Sequence, residues 1–456
     1  MAKVLLALAL LASCSNSSNS PSEDSSLTDI NPQFMVTPDE VYEWHQTKDA
    51  GGGTYSGSPS WRAYLAFLED RMQSYGVVGI TRNAWRYNRW YTSDFPGNGD
   101  WTLTSDGDAI PVASYSAYSG STGPEGIAAE MIYYDPASPP APELLSGKIV
   151  VFRTSPHPDP PYSLLYTLFY TFTDYEYTSN PETFGPLYEP VPIDENVNAD
   201  VWYQLGQTFS FNLEQTDYLS ILRESQAIGG LIVFDQSFDR LAGLYQFGVP
   251  TLHQCPTLFL DRNAGNQVVE DAIQGRNATL KLTATVEEAE TYQLIGYLPG
   301  RHYGTPEDEQ ILLVSHTDGP SISQDNGAFG LLGIVQYFSH IPQSQRPRTL
   351  FIFLDNRHYM PGMEAEFASQ DWFAQHPEAD DLIVASVATE HLGQLEYREI
   401  GDVYEPTGRV ESSFLWVRNN QLLIDLAIEA VQANGWPRVQ VKCTERLGLH
   451  DGPQGA

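Results

Sequence analysis

Two apolar runs of strand length, Ile311–Val314 and Thr349–Leu354, are each bounded by polar residues. Between them, Asp325-Asn326-Gly327 has the residue types that start a helix. Leu331, Leu332, Val335 and Phe338 then fall on one face of it. This strand–loop–helix–strand unit predicts parallel pairing of the two strands. His316 and Asp318 follow the first run, and Asp355 and His358 follow the second. Ligands of open α/β sheets sit beyond the carboxyl ends of the strands. The pattern therefore puts metal-binding residue types where a site is expected.

After Glu290 the alternation continues. Thr291–Leu298 and Leu382–Thr389 read as strands, and Glu364–Ala374 and Gln421–Asn434 as helices, which is an α/β pattern. Nearer the N-terminus, Tyr64, Leu65, Leu68, Met72 and Tyr75 have helical spacing, with Gly76 as C-cap. Asn83–Tyr91, rich in Arg, Trp and Tyr, reads as a strand that either packs as an aromatic surface or borders a ligand. From about Ala113 the texture changes to short β runs: Ile127–Tyr134, Lys148–Arg153, Ile228–Phe234, Thr257–Leu260 and Thr279–Val286. A helix over Tyr218–Ala227 is expected among them. Residues 155–212 are crowded with Tyr, Phe, Pro and acids and lack periodicity. A long loop of this kind is either a lid or binding loop, or it packs back on the β region.

The chain has 456 residues, which favours two domains, and its 41% hydrophobic content suffices for sizeable cores. A formal net charge of −34 argues against a nucleic-acid partner, because phosphate binding needs a basic surface. The acidity reads instead as a solvated surface. Residues 1–13 form an export signal: Lys3, the apolar run Val4–Leu11, then Ala12-Ser13. Leu11-Ala12-Ser13-Cys14 resembles the lipobox of bacterial lipoproteins, which implies a lipid anchor on Cys14. An ordinary cleaved signal is the alternative. A Ser/Asn-rich tether follows and is taken over 14–35. No other run approaches the ~20 apolar residues of a membrane span. The expected location is therefore the cell envelope, as a lipoprotein of the outer membrane or facing the periplasm, or secretion. Cys255 and Cys443 are expected to be two unrelated buried thiols. The Gly/Pro-rich ending at Ala456 suggests that a last strand and helix are missing.

The middle region resembles the protease-associated (PA) domain. The resemblance rests on Ser146-Gly147-Lys148-Ile149-Val150-Val151, on Ala227-Ile228-Gly229-Gly230-Leu231-Ile232-Val233-Phe234, and on Pro256-Thr257-Leu258-Phe259-Leu260. It implies a domain over 120–289, of a kind found inserted in or appended to peptidases, where it influences substrate access.

Hydrolysis at a two-metal site needs His and carboxylate side chains from different strand ends, a metal-bound hydroxide, and a carboxylate acting as base. Further carboxylates fix the His tautomers. The candidates in chain order are His316, Asp318, Asp325, His358, Glu390 or His391, and His450. Ser315-His316-Thr317-Asp318, then Asp325-Asn326-Gly327-Ala328, then Phe351-Ile352-Phe353-Leu354-Asp355 resemble the M28 family of zinc aminopeptidases and carboxypeptidases. The resemblance covers 36–119 and 290–456. It implies an α/β fold, a mixed sheet flanked by helices, with a mainly-β PA-like domain inserted. It makes His316 a zinc ligand, Asp318 the acid that positions it, and Asp325 the carboxylate bridging two zincs.

The next motif departs from the family. In Asp355-Asn356-Arg357-His358, Arg357 stands where the family has its general base, and Arg does not accept a proton. His358 stands at a ligand position and offers a ring nitrogen. Glu390 in Ala388-Thr389-Glu390-His391 matches the next ligand, and His450 in Gly448-Leu449-His450-Asp451 matches the last. Arg357 is suited to clamping a substrate carboxylate. Glu364, Glu366 and Glu390 are the substitutes for the base. His45, His157, His253, His302, His340 and His376 have no partner pattern and read as structural or exposed. The expected function is exported, metal-dependent hydrolysis of peptide or amide bonds with one or two zinc ions. The alternatives are a catalytically silent binding protein and a glutaminyl-cyclase-like enzyme.

Overall fold

The strand Gln310–His316 lies between two parallel neighbours, Thr349–Asp355 on one side and Ile383–Ala388 on the other. The computed structural model from which this is read describes residues 30–154, 176–179, 218–245, 254–360, 371–393, 395–411 and 413–443. The export signal, Cys14, most of the tether and of the aromatic segment 155–212, His157, His253, Glu364, Glu366 and His450 lie outside the described residues. So does most of the helix expected over Glu364–Ala374, of which Trp372–Gln375 is one described helical turn.

The five-stranded sheet runs Val78–Tyr91, Thr285–Leu298, Thr349–Asp355, Gln310–His316, Ile383–Ala388. Its first two strands are antiparallel to their neighbours, so the sheet is mixed. Pairing sets His316 opposite Asp355 and Val314 opposite Ala388. The loops after all three parallel strands therefore leave from one edge, and that edge carries the candidate residues.

The expected helix forms over Gly327–Ser339 and is the crossover between the two parallel strands. It buries more than the one face that spacing suggested, since Gly327 to Val335, Tyr337 and Phe338 are all buried. Helix Pro59–Ser74 covers it, contributing Trp61, Tyr64, Leu65, Leu68 and Met72 to the shared core. Ser58 Oγ caps that helix by accepting from Trp61 N at 3.0 Å, and Gly76 follows its end at φ 82°.

Gly327 is required by close approach. A Cβ there would lie 1.9 Å from the Thr389 carbonyl oxygen and 2.4 Å from Ser315 Oγ. Gly327→Ala is expected to drive the crossover helix off the loop after Ile383–Ala388, costing about 3 kcal/mol, at the upper end of overpacking penalties. A melting-temperature shift of only a degree or two would rule this out.

An eight-stranded sheet has a separate core. Its centre is parallel: Ile127–Tyr133, Ile149–Arg153, Gly229–Val233 and Thr257–Leu260, with the last three almost wholly buried. The strand expected over Thr279–Val286 is two strands. Asn277–Leu282 belongs to the eight-stranded sheet, and Thr285–Leu298 begins the antiparallel arm of the other. The break falls where Thr283 bonds sideways to Asp100, through its backbone N–H and its hydroxyl.

After Ala388 the chain leaves the five-stranded sheet. It forms a hairpin, Leu395–Ile400 with Val403–Val410, and then the parallel pair Ser413–Val417 and Val439–Cys443, joined by helix Gln421–Ala433. Cys255 and Cys443 are both buried free thiols.

Candidate metal centre

His316 is the last residue of its strand and is 2% exposed. Its Nδ1 lies 2.8 Å from the Asp318 carbonyl oxygen. That acceptor holds a proton on Nδ1 and points Nε2 outward, so that Nε2 would offer a lone pair once a metal ion displaced its proton. Nε2 is itself buried with no hydrogen-bond partner, 3.3 Å from Glu390 Oε1. The His358 ring lies 4.4 Å from that of His316, with its Nε2 3.8 Å from the same Glu390 oxygen. Among the described residues, His316, His358 and Glu390 are the one group of His, Cys, Asp and Glu side chains, each offering a ligand atom, whose atoms lie within 4.8 Å of one another.

One strand end and two loops deliver these groups. His316 is set by strand pairing. His358 is held by Asp318, whose carboxylate accepts from the backbone N–H of His358 at 3.2 Å and of Tyr359 at 2.7 Å. Asp318 thus positions the loop bearing the second imidazole. Its own carboxylate is 3.9 Å from His316 Nδ1, and its backbone carbonyl orients that ring. Glu390 follows the strand Ile383–Ala388, and His391 after it has φ 49°, in the left-handed region that few non-glycine residues adopt. His391 Nε2 touches the same Glu390 oxygen at 3.3 Å, but its exposed ring lies outside the three-residue group.

The electrostatics follow from burial and mutual charge. Burial pushes the Asp318 carboxyl up to about 6. Burial, then the neighbouring His316, holds His358 down at about 4, so its imidazole is neutral and keeps a lone pair. Burial acts against a charged His316, yet Glu390 and Asp318 outweigh it and raise the imidazole to about 9. Burial likewise opposes Glu390, and the surrounding histidines overcome it and lower the carboxyl to about 2. A carboxylate facing imidazoles in a recess is an arrangement that a divalent cation would complete.

Other sequence candidates fall outside that group. Asp325 is fully buried, but it is outside the three-residue group. Lys48 Nζ pairs with its Oδ1 at 2.6 Å, and the Thr54 hydroxyl donates to its Oδ2. Arg357 turns away from the group. Its Nε reaches both Asp355 oxygens at 2.9 and 3.1 Å, and its Nη2 lies 2.5 Å from Asp355 Oδ2 and from Asp371 Oδ2. A guanidinium so held is not presented to a substrate carboxylate. His45 bonds Val41 O and Asn326, His340 stacks on Phe34, and His376 meets Glu378 and Trp372.

The sequence reading missed Lys48, Thr54, Asp371 and an aromatic wall. In that wall Tyr55 meets Tyr245 with ring centres 4.4 Å apart, and Tyr245 meets Tyr359, the neighbour of His358, at 5.8 Å. Lys48 had a signal. It lies one helical turn after Trp44 in Pro38–Asp49, so a lysine shares the buried face with a tryptophan.

A scan against protein-family models finds no match, and neither does a sequence search of curated proteins. Solved structures do match. A peptidase M28 precursor from Shewanella amazonensis aligns with 97% of this chain and 82% of its own length, at TM-score 0.53 and 14% identity. BSAP, a zinc aminopeptidase from Bacillus subtilis, aligns over 90% and 82%, at TM-score 0.51 and 11% identity. The chain has the mixed α/β fold of these M28-type zinc aminopeptidases, with low identity to each of them.

Proposed function

We propose that the protein is an exported, metal-dependent hydrolase of peptide or amide bonds, anchored through Cys14 and built around a zinc centre on His316, His358 and Glu390. The convergence of two imidazoles and one carboxylate from one strand end and two loops at one sheet edge carries this reading. The ligand set fits zinc: two nitrogens and an oxygen, with a buried Nε2 aimed at the Glu390 carboxylate. These three residues would hold the ion, and bound zinc would supply Lewis acidity there. His316 is orientated through Nδ1 and His358 through the Asp318 clasp on its backbone. The Tyr55–Tyr245–Tyr359 wall offers an apolar surface for a substrate side chain, and it involves the region proposed to be PA-like.

The chain lacks a carboxylate at the position of Arg357, so proton removal has no dedicated side chain there. Absence of a general base lowers rates by ~10²–10⁴, and turnover is expected to be slow. This same feature favours the second reading, a binding protein that holds zinc without cutting. The test is zinc content together with cleavage of aminoacyl and dipeptidyl amides. Purified protein is expected to carry zinc and lose it in His316→Ala and His358→Ala, and slow cleavage is expected to vanish with it. Zinc without cleavage would select the binding protein, and protein that never takes up zinc would end both readings.

A further inference from the structure

The family resemblance gives Asp325 a bridging role, and the structure gives it a lysine partner. Asp325 is a fully buried carboxylate at the foot of the crossover helix, and both oxygens are engaged from the N-terminal segment. Lys48 Nζ meets Oδ1 at 2.6 Å, and Thr54 Oγ1 donates to Oδ2. The Lys48 side chain is itself 2% exposed. Its ammonium lies 5.2 Å from the centre of the Tyr64 ring, and the Tyr64 hydroxyl donates to the Asp325 backbone carbonyl at 3.0 Å. Trp44, one turn before Lys48, is buried in the main core, and His45 Nε2 meets Asn326 Nδ2 at 3.3 Å. Helix Pro38–Asp49 is thereby fixed on both sides of the ion pair.

We propose that Lys48 is a built-in cation for Asp325, so that the centre takes up one divalent ion, on His316, His358 and Glu390, and has no second ion bridged by Asp325. The proposal rests on the metal-centre reading above. An ammonium and a metal ion compete for the same carboxylate lone pairs and repel each other. A second ion on Asp325 would have to displace a buried lysine whose helix is anchored in the core. Among the described residues, no group of three potential ligands includes Asp325. Lys48 neutralises a buried charge that would otherwise keep only the neutral Thr54 hydroxyl on its oxygens.

The test is a zinc count on the full chain, stripped with chelator, reloaded with Zn²⁺ and desalted, with affinity read by competition against a chromophoric chelator. One zinc per chain is expected in the wild type. Asp325→Asn is expected to keep that zinc with its dissociation constant changed less than fivefold, while its melting temperature falls because Lys48 is left unpaired. Should Asp325→Asn not fold, the double variant Lys48→Met with Asp325→Leu removes both charges and is read the same way. Two zincs per wild-type chain, or a weakening of fivefold or more in the Asp325 variants, would overturn the Lys48 proposal and leave the metal centre standing. A wild type without zinc would overturn the centre, and this proposal with it.

Discussion

Glu396→Gln is expected to cost about 3–5 kcal/mol of local stability, the usual penalty for removing one partner of a buried ion pair. Glu396 is 4% exposed and is held by three groups. Arg438 Nη2 bonds Oε1 at 2.6 Å, while Arg409 Nη2 at 2.7 Å and the Thr407 hydroxyl at 2.6 Å reach Oε2. Arg438 is 2% exposed and also donates to the Val410 carbonyl, so it cannot turn to solvent when its carboxylate is gone. The cluster joins the hairpin Leu395–Val410 to the strand Val439–Cys443, and the damage is expected there rather than in the five-stranded sheet. Burial raises the Glu396 carboxyl, but its bonds to Arg438, Thr407 and Arg409 outweigh burial and lower it below the ordinary glutamate value. A depressed folded pKa means that the unfolded chain binds the proton first. This contribution is therefore complete above about 4.5 and is lost as pH falls through the lower folded value. Hydrogen exchange at Val439–Cys443 checks both points. Protection is expected to drop in the variant at pH 7, and the difference from wild type is expected to shrink in acid. Unchanged protection at pH 7 would show that the cluster is ornamental to this sheet.

Much of the fold was legible because two periodicities are clean. The runs Ile311–Val314 and Thr349–Leu354 with the Asp325-Asn326-Gly327 start specify the parallel unit, and the structure pairs those strands in parallel. The helix over Tyr64–Met72 followed from its spacing. The break between Asn277–Leu282 and Thr285–Leu298 was not legible, since both strands read as one β run and only the sideways bonding of Thr283 to Asp100 separates them. At the site, sequence order brought His316, His358 and Glu390 forward as candidates, and the sheet edge gathers them. What order could not show is which partner each charged group takes. Asp325 and Arg357 both carry the residue type a functional role requires. Asp325 takes Lys48, 277 positions before it, and Arg357 takes, besides the adjacent Asp355, Asp371, 14 positions after it. Contacts of that kind depend on the packing of helix Pro38–Asp49 and of the segment at Trp372, and no local pattern encodes them.

Arg357→Met is expected to destabilise the protein by about 3–5 kcal/mol and to weaken zinc binding, because the side chain ties down the loop that carries His358. Asp355 is 1% exposed and ends the central strand Thr349–Asp355. Two Arg357 nitrogens cover its oxygens, and the second of these also reaches Asp371. Burial works against a charged guanidinium there, but the two carboxylates outweigh it and raise its pKa above the ordinary value. Without Arg357, Asp355 keeps only polar donors, Asn356 N at 2.7 Å and Gln293 Nε2 at 3.4 Å. A substrate clamp would behave differently, with the melting temperature holding and KM rising only for substrates bearing a free carboxylate. Thermal unfolding of Arg357→Met beside the double variant Arg357→Met with Asp355→Asn separates the two roles. The second change removes the uncovered charge and is expected to restore most of the loss. The same geometry forecasts that Arg357→Glu does not restore hydrolytic power, since it adds a third carboxylate beside Asp355 and Asp371 and loosens the loop that the imidazole depends on.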